Sequence, residues 1–278
     1  MNPIIIEKLR EARKTGILDI TNKGLFSLPE LPSNLTKLNC SGNNLATLHD
    51  FPATLTELDC SNNNLISLGK FPKSLHRLDC SSNSLCATSL LDLPDSLEYL
   101  NCSDNKLKYL PNLPANLTKL ECYSNQLNDL PTLPSTLTKL DCCDNKLQSL
   151  PHILPGKLHT LYCGDNQLTS LPCLPDELIE LSCGDNQLTS LPLLPEKLRI
   201  VYCWRNQLAS LPTIPATLME IEFYENPWDE QFASLLERDD PIVAIHTYQK
   251  GWKTFTGKNG QTYYANSITG ERSYDKPA

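Results

Sequence analysis

Large rings are scarce in this sequence. Aromatic residues make up 7% of its 278 positions and methionine occurs twice, too little bulk for a compact core built around big side chains. Long apolar runs are missing as well. The N-terminus, Met-Asn-Pro-Ile-Ile-Ile-Glu-Lys, turns polar too soon for a secretory h-region, and no stretch approaches the roughly 18 apolar residues of a membrane span. Positive charge is short too. The net charge is −8, and residues 249–278 hold an excess of three cations (Lys250, Lys253, Lys258, Arg272 and Lys276 against Glu271 and Asp275), which leaves −11 on the remainder. An acidic body repels phosphate backbones, so nucleic acid is not an expected ligand. There is no C-x-x-C pair and no phosphate-cradling glycine pattern, and the five histidines occupy unrelated places. No metal or cofactor is expected.

What is abundant is periodic. Nine of the twelve cysteines stand at 40, 60, 80, 102, 122, 142, 163, 183 and 203, in steps of 20 to 22 residues. An asparagine follows each by three, from Asn43 to Asn206, and a further unit keeps the register with Phe223 and Asn226. The unit reads L-x-x-L-x-C-x-x-N-x-L-x-x-L-P-x-L-P, as in Leu117, Leu120, Cys122, Asn125, Leu127, Leu130, Pro131, Leu133 and Pro134.

Each position has a physical job. Side chains alternate across a strand, so Leu120 and Cys122 should turn inward while Lys119, Glu121 and Tyr123 turn out. One coil cannot bury its own leucines, but stacked coils form a continuous apolar column. The asparagines should form a ladder whose amides bond the backbone, since an unpaired buried amide is costly. The L-P-x-L-P stretch fixes φ and removes donors, which predicts an extended, non-helical convex side. The extra residues after Leu85 and near His152 should bulge there.

This pattern resembles the short bacterial-type leucine-rich repeat, found in effectors of pathogens and in repeat proteins of large DNA viruses. The resemblance implies a solenoid with a parallel β-sheet on its concave face, and a protein-binding role rather than catalysis. Residues 1–16 are expected as a capping helix with Ile5, Ile6 and Leu9 turned to the first coil, 17–228 as the solenoid, and 229–248 as a helical cap or linker, with one helix on Phe232, Leu235 and Leu236 and another from Pro241 to near Tyr248. The expected location is the cytoplasm, or that of a host cell, and a monomer is expected. A rival reading follows from the same resemblance: a substrate-recognition subunit of ubiquitin-ligase type, its catalytic domain absent from this chain.

Residues 249–278 follow a different pattern: Gly251-Trp252, then Tyr263-Tyr264, Asn266, Thr269-Gly270, Tyr274 and Pro277. Lys258-Asn259-Gly260 is a hairpin signal between two β-prone runs, and a second turn at Ile268–Glu271 predicts three short antiparallel strands. The spacing resembles a WW domain. That resemblance implies a core of Trp252, Tyr264 and Pro277 and a groove of Tyr263 and Tyr274 for a proline-rich partner. Tyrosine stands where that family has its second tryptophan, and Ser267 where ligand-reading members have histidine. The other reading is a β-sheet appendage that shields the solenoid end.

The outward positions of the repeat are where function should be read. The slot between leucine and cysteine runs Asn39, Asp59, Asp79, Asn101, Glu121 and Asp141, then Tyr162, Ser182, Tyr202 and Glu222. The slot after the cysteine runs from Ser41 to Ser103, then Tyr123, Cys143, Gly164, Gly184, Trp204 and Tyr224. An acidic, serine-rich first half is expected to give way to a partner-binding cluster of Tyr162, Ile200, Tyr202, Trp204, Arg205 and Tyr224. The ladder cysteines should act as small hydrophobes, with the concave Cys143 the best placed for reactivity.

Overall fold

The computed structural model describes residues 3–48, 50–86, 89–90, 92–237, 239–256, 262–266 and 272–273. Helix α1 (Pro3–Thr15) leads into eleven three-residue strands, β1 (Ile17–Asp19) through β11 (Glu220–Glu222). The strands pair in parallel in strict sequence order, each leucine opposite the next, Leu120 with Leu140 and Leu140 with Leu161. Between successive strands of residues 17–229 the described chain contains no helix. The convex side is extended, as the prolines require. Among the described residues no helix is long and apolar enough to cross a membrane.

The column that holds this together is leucine and cysteine. Leu117, Leu120, Cys122 and Leu127 are fully buried, and the same slots are buried from coil to coil. Full burial of each such side chain stabilises by about 1.5–3 kcal/mol. The ladder thiols also donate to the next coil, Cys142 Sγ to the Tyr162 carbonyl at 3.3 Å and Cys80 Sγ to that of Asn101 at 3.4 Å. Each ladder asparagine binds at least four backbone groups. Asn125 Nδ2 donates to the carbonyls of Cys102 (3.1 Å), Cys122 (3.2 Å) and Tyr123 (3.1 Å), and its Oδ1 accepts from Leu107 N–H at 3.0 Å. On the convex side a proline carbonyl receives the amide three residues on, Leu137 to Pro134 at 3.0 Å. This turn explains the P-x-x-L spacing.

One regularity was not visible as such in the sequence. The residue before every ladder asparagine is left-handed: Gly42 (φ 66), Asn62 (53), Asp104 (51), Asp144 (50), Asp185 (53), and also Arg205 (48) and Glu225 (55). Asparagine, aspartate and glycine suit that turn; Arg205 and Glu225 do not, and they stand side by side.

Of the two extra-residue sites, the second behaves as a bulge, while Ala87, Thr88 and Leu91 of the first lie outside the described residues. His152 and Ile153 form an exposed bend while Leu154 stays buried, and Ser89 Oγ reaches the Ile66 carbonyl (2.9 Å) beside the buried Leu90. Of the expected α1 contacts, Ile5 and Leu9 are buried, but Ile6 is 46% exposed and Ala12 takes its place. Ala12 lies seven residues from Ile5 and three from Leu9, on the helical face that Ile6 misses.

After Trp228 come α2 (Glu230–Leu236) and α3 (Pro241–Gly251), the second running three residues past its expected end. Asp229 starts α2 by accepting from Phe232 N–H. Gln249 ties α3 to the last convex turn: its Nε2 donates to the Pro212 carbonyl (2.9 Å) and its Oε1 accepts from Ile214 N–H (3.0 Å). Strands β12 (Trp252–Thr256), β13 (Thr262–Asn266) and β14 (Arg272–Ser273) then form an antiparallel sheet in that order. Tyr263 pairs with Phe255 and Tyr264 with Thr254, so the two tyrosines face opposite sides. The Lys258–Gly260 turn, the Ile268–Glu271 turn, Ser267, Tyr274 and Pro277 lie outside the described residues.

Candidate functional site

The three outward slots of the sheet form the concave face. Its first half differs from the sequence expectation in two ways. The aspartates and serines there are engaged with each other: Ser61 donates through N–H (3.0 Å) and Oγ (2.7 Å) to Asp59 Oδ1, and Ser81 repeats this on Asp79. They shape the turn leaving each strand. The slot before the leucine, moreover, carries Lys37, Arg77, Lys119 and Lys139, which offset the carboxylates. Lys37 bridges Glu57 at 2.7 Å and Lys139 bridges Glu121 at 2.8 Å, while the Arg77 guanidinium lies 3.6 Å from the centre of the Tyr99 ring. The expected acidic half is therefore a mixed one, with a groove of about 360 Å³ over β1 to β4 lined by both charged and aliphatic side chains.

Beyond β7 the cations leave the strands. Glu180, Glu220 and Glu222 remain, among aromatic residues. The Trp204 and Tyr224 rings stack at 5.8 Å with 6° between planes. On its other side the indole lies over Gly184, where a Cβ would come within 2.5 Å of Cε2. The glycine of that coil is thus the seat of the tryptophan. Tyr202 donates its hydroxyl to Glu220 at 2.8 Å, which pushes its pKa up to about 12. Tyr162 shares the Tyr202 slot two coils earlier, with Ser182 between, and burial followed by a hydrogen bond with Glu180 raises its pKa. Ile200, half-buried, sits in register between Glu180 and Glu220.

Arg205 is not on a strand. It stands in the left-handed turn, Nε 2.7 Å from Glu225 and Nη1 3.4 Å from Asp185, with its guanidinium 5.6 Å from the Trp204 ring centre. It joins Trp204 and Tyr224 in one patch at the rim. Tyr162 is set apart from that patch.

Cys143 is a poor nucleophile. Burial and the nearby Asp141 carboxylate push its thiol up to about 12, so thiolate is rare near neutrality. Burial likewise pushes Cys40, Cys102 and Cys203 up to about 12. In the C-terminal sheet, Tyr263 and Tyr264 are half-buried and Arg272 lies 5.7 Å from the Tyr263 ring centre.

A parallel ladder of coils, with leucine, cysteine and asparagine columns and an open concave face, defines a leucine-rich-repeat protein. The Leucine Rich Repeat family model matches residues 54–78 and 96–117. Among solved structures, the leucine-rich effector YopM of Yersinia pestis is 33% identical (TM-score 0.72), over 80% of this chain and 70% of that one. YopM of Yersinia enterocolitica is 31% identical (TM-score 0.56), over 80% of this chain and 63% of that one, so this chain spans under two thirds of its length. The functional domain of InlJ from Listeria monocytogenes, described as including a cysteine ladder, is 27% identical (TM-score 0.62), over 76% of this chain and 53% of that one. No curated protein sequence matches. The chain belongs to the leucine-rich-repeat family.

Proposed function

We propose that this protein is a non-catalytic interaction scaffold that grips a protein partner on the second half of its concave face. The observation that carries the reading is the Trp204–Tyr224 stack over Gly184, flanked by Tyr202, Ile200 and Arg205. Fixed aromatic surface beside an arginine is the usual composition of interface anchors. Tyr162 would extend the contact towards the middle of the sheet. As a scaffold of the effector type, it would work as a monomer in the cytoplasm, its own or a host's. Helices α1 and α2–α3 would serve as the caps of a solenoid over 17–228.

Residues 249–278 would form a second, WW-like site for a proline-rich segment, through Tyr263 and Tyr274 on a core of Trp252, Tyr264 and Pro277. The three-stranded order and the opposite facing of Tyr263 and Tyr264 support it.

Gly184→Ala tests the concave site without touching the ladder. The new methyl should displace the indole, shift Trp204 fluorescence and weaken partner capture as strongly as Trp204→Ala with Tyr202→Ala. Unchanged recovery of every partner by both variants would overturn the reading. Capture with residues 1–251, which keep α3 and its Gln249 anchor, against a proline-rich peptide array separates the two sites: loss of the array signal alone is expected.

A further inference from the structure

The last strand of the parallel sheet, β11, leaves its outer edge open. In every interior coil, groups on one side of the strand bond the next coil. In the tenth, the Arg199 carbonyl accepts from Met219 and Glu220 N–H (2.8 and 3.1 Å), Cys203 N–H donates to Glu222 (2.7 Å) and Arg205 N–H to Tyr224 (2.9 Å). Their counterparts on the last coil are the Met219 carbonyl and the Phe223 and Glu225 N–H groups. Among the described residues nothing pairs with any of the three. The helices that follow cover mainly the convex part of this end, with Trp228 edge-on against Phe223 and its Nε1 donating to the Phe223 carbonyl at 3.2 Å. Ile214 and Leu218 are buried at 2% and 6%, whereas Ile221 and Phe223 are half-buried and Met219 is 72% exposed.

We propose that β11 is a docking edge that accepts an extended segment of a partner protein as a twelfth strand, with basic residues alternating with apolar ones. Unpaired strand donors and acceptors are a ready template for strand addition. Charge selects the occupant. The outward residues of β11 are Glu220 and Glu222, and the central one is Ile221. Within the same sheet the solution for a glutamate is a lysine on the adjoining strand, as in Lys37 opposite Glu57 and Lys139 beside Glu121. A second copy is disfavoured, because two-fold pairing of β11 with itself sets Glu220 and Glu222 against their own counterparts. The edge lies beside the aromatic patch and shares with it the Tyr202–Glu220 hydrogen bond, but it uses backbone rather than Trp204.

The test is amide-resolved NMR of the full chain with three blocked eight-residue peptides: alternating lysine and valine, alternating glutamate and valine, and a scrambled lysine–valine sequence. With the first, the Phe223 and Glu225 amides should shift and gain protection from exchange while Cys203 and Arg205 stay unchanged. Affinity should exceed that for the glutamate peptide by about tenfold, the yield of two cross-strand charge pairs. Glu220→Lys with Glu222→Lys should reverse the preference, and Trp204→Ala should leave it intact. The proposal is overturned by equal binding of the scrambled peptide, by shifts confined to concave residues, or by Phe223 and Glu225 amides already protected in the free chain. Dimerisation lost on the double lysine change would also overturn it, by assigning the edge to a second copy. No binding at all would reduce the glutamates to a shield against aggregation.

Discussion

The two ends of the solenoid meet solvent in different ways. At the first, α1 sets Ile5, Leu9 and Ala12 over β1, and Leu18 and Ile20 of that coil are 1% and 0% exposed. At the last, α2 and α3 are anchored through Phe232, Leu235 and Gln249, yet Ile221 and Phe223 of the last coil remain half-exposed. The interior coils are nearly identical, so stability along the array depends on what each end does with its exposed column. Fraying should begin at β11 and run backwards.

The largest expected effect tests whether the ends matter at all. The thiol column fills every coil between the ends, while Ile20 and Phe223 occupy its slot at the two extremes. Burial pushes the folded ladder thiols well above the 9.0 of a free thiol, Cys40, Cys102 and Cys203 to about 12. Above pH 9 the unfolded chain therefore sheds protons that the folded chain keeps, and stability falls as pH rises. The slope is about 1.4 kcal/mol per pH unit for each thiol. Equilibrium unfolding should weaken steeply between pH 9 and 11, and Cys102→Ala with Cys122→Ala should lower the slope by about 2.8 kcal/mol per pH unit, the share of two thiols. A pH-independent midpoint there would break the picture.

Second, Asn125→Ala should cost at least about 3 kcal/mol, because four backbone groups lose their partner. Asn226→Ala, at the looser end, should cost less than half as much by denaturant midpoint. Equal costs would put the two ends on the same footing. Third, Leu9→Ala should destabilise by about 2–5 kcal/mol and speed exchange in β1, whereas Ile221→Ala should cost about 1 kcal/mol. The smallest effect lies in the middle of the sheet. Burial, the leading cause, raises the Asp141 pKa against its backbone bond to Cys143. The folded state holds that proton longer, so wild-type stability declines as pH climbs from the ordinary carboxylate range through the raised value. Asp141→Asn should be more stable than wild type above that window and equal to it below, with neither end altered.

Much of this was legible in the sequence. Cysteine–asparagine spacing gave the coil count, the strand positions and the non-helical convex side, because each column position has one packing role. The aromatic cluster was legible for the opposite reason: nothing in the core calls for Trp204 or Tyr224 where they stand. Two features were missed because they depend on neighbours in space. The lysine slot of the first half was overlooked by reading only two of three outward positions. The glycine pair Gly164 and Gly184 looked like empty positions until Trp204 was found lying on one of them. Tyr162 shares a slot with Tyr202 but not its patch, and Arg205 reaches Trp204 from a turn. Ile6 was misassigned because three consecutive isoleucines do not say which two share a helical face with Leu9.

The uniform register also makes length a free variable. Each coil is a step of about 4.8 Å that returns the chain to its starting orientation, and the exposed bend at His152 with the register kept on either side shows that surplus residues are absorbed outside the ladder. Duplicating or excising one whole coil would leave every remaining leucine and asparagine with a partner of the same kind. Such a molecule can change its reach in fixed increments, like a ruler cut to the span of what it holds, without renegotiating its fold.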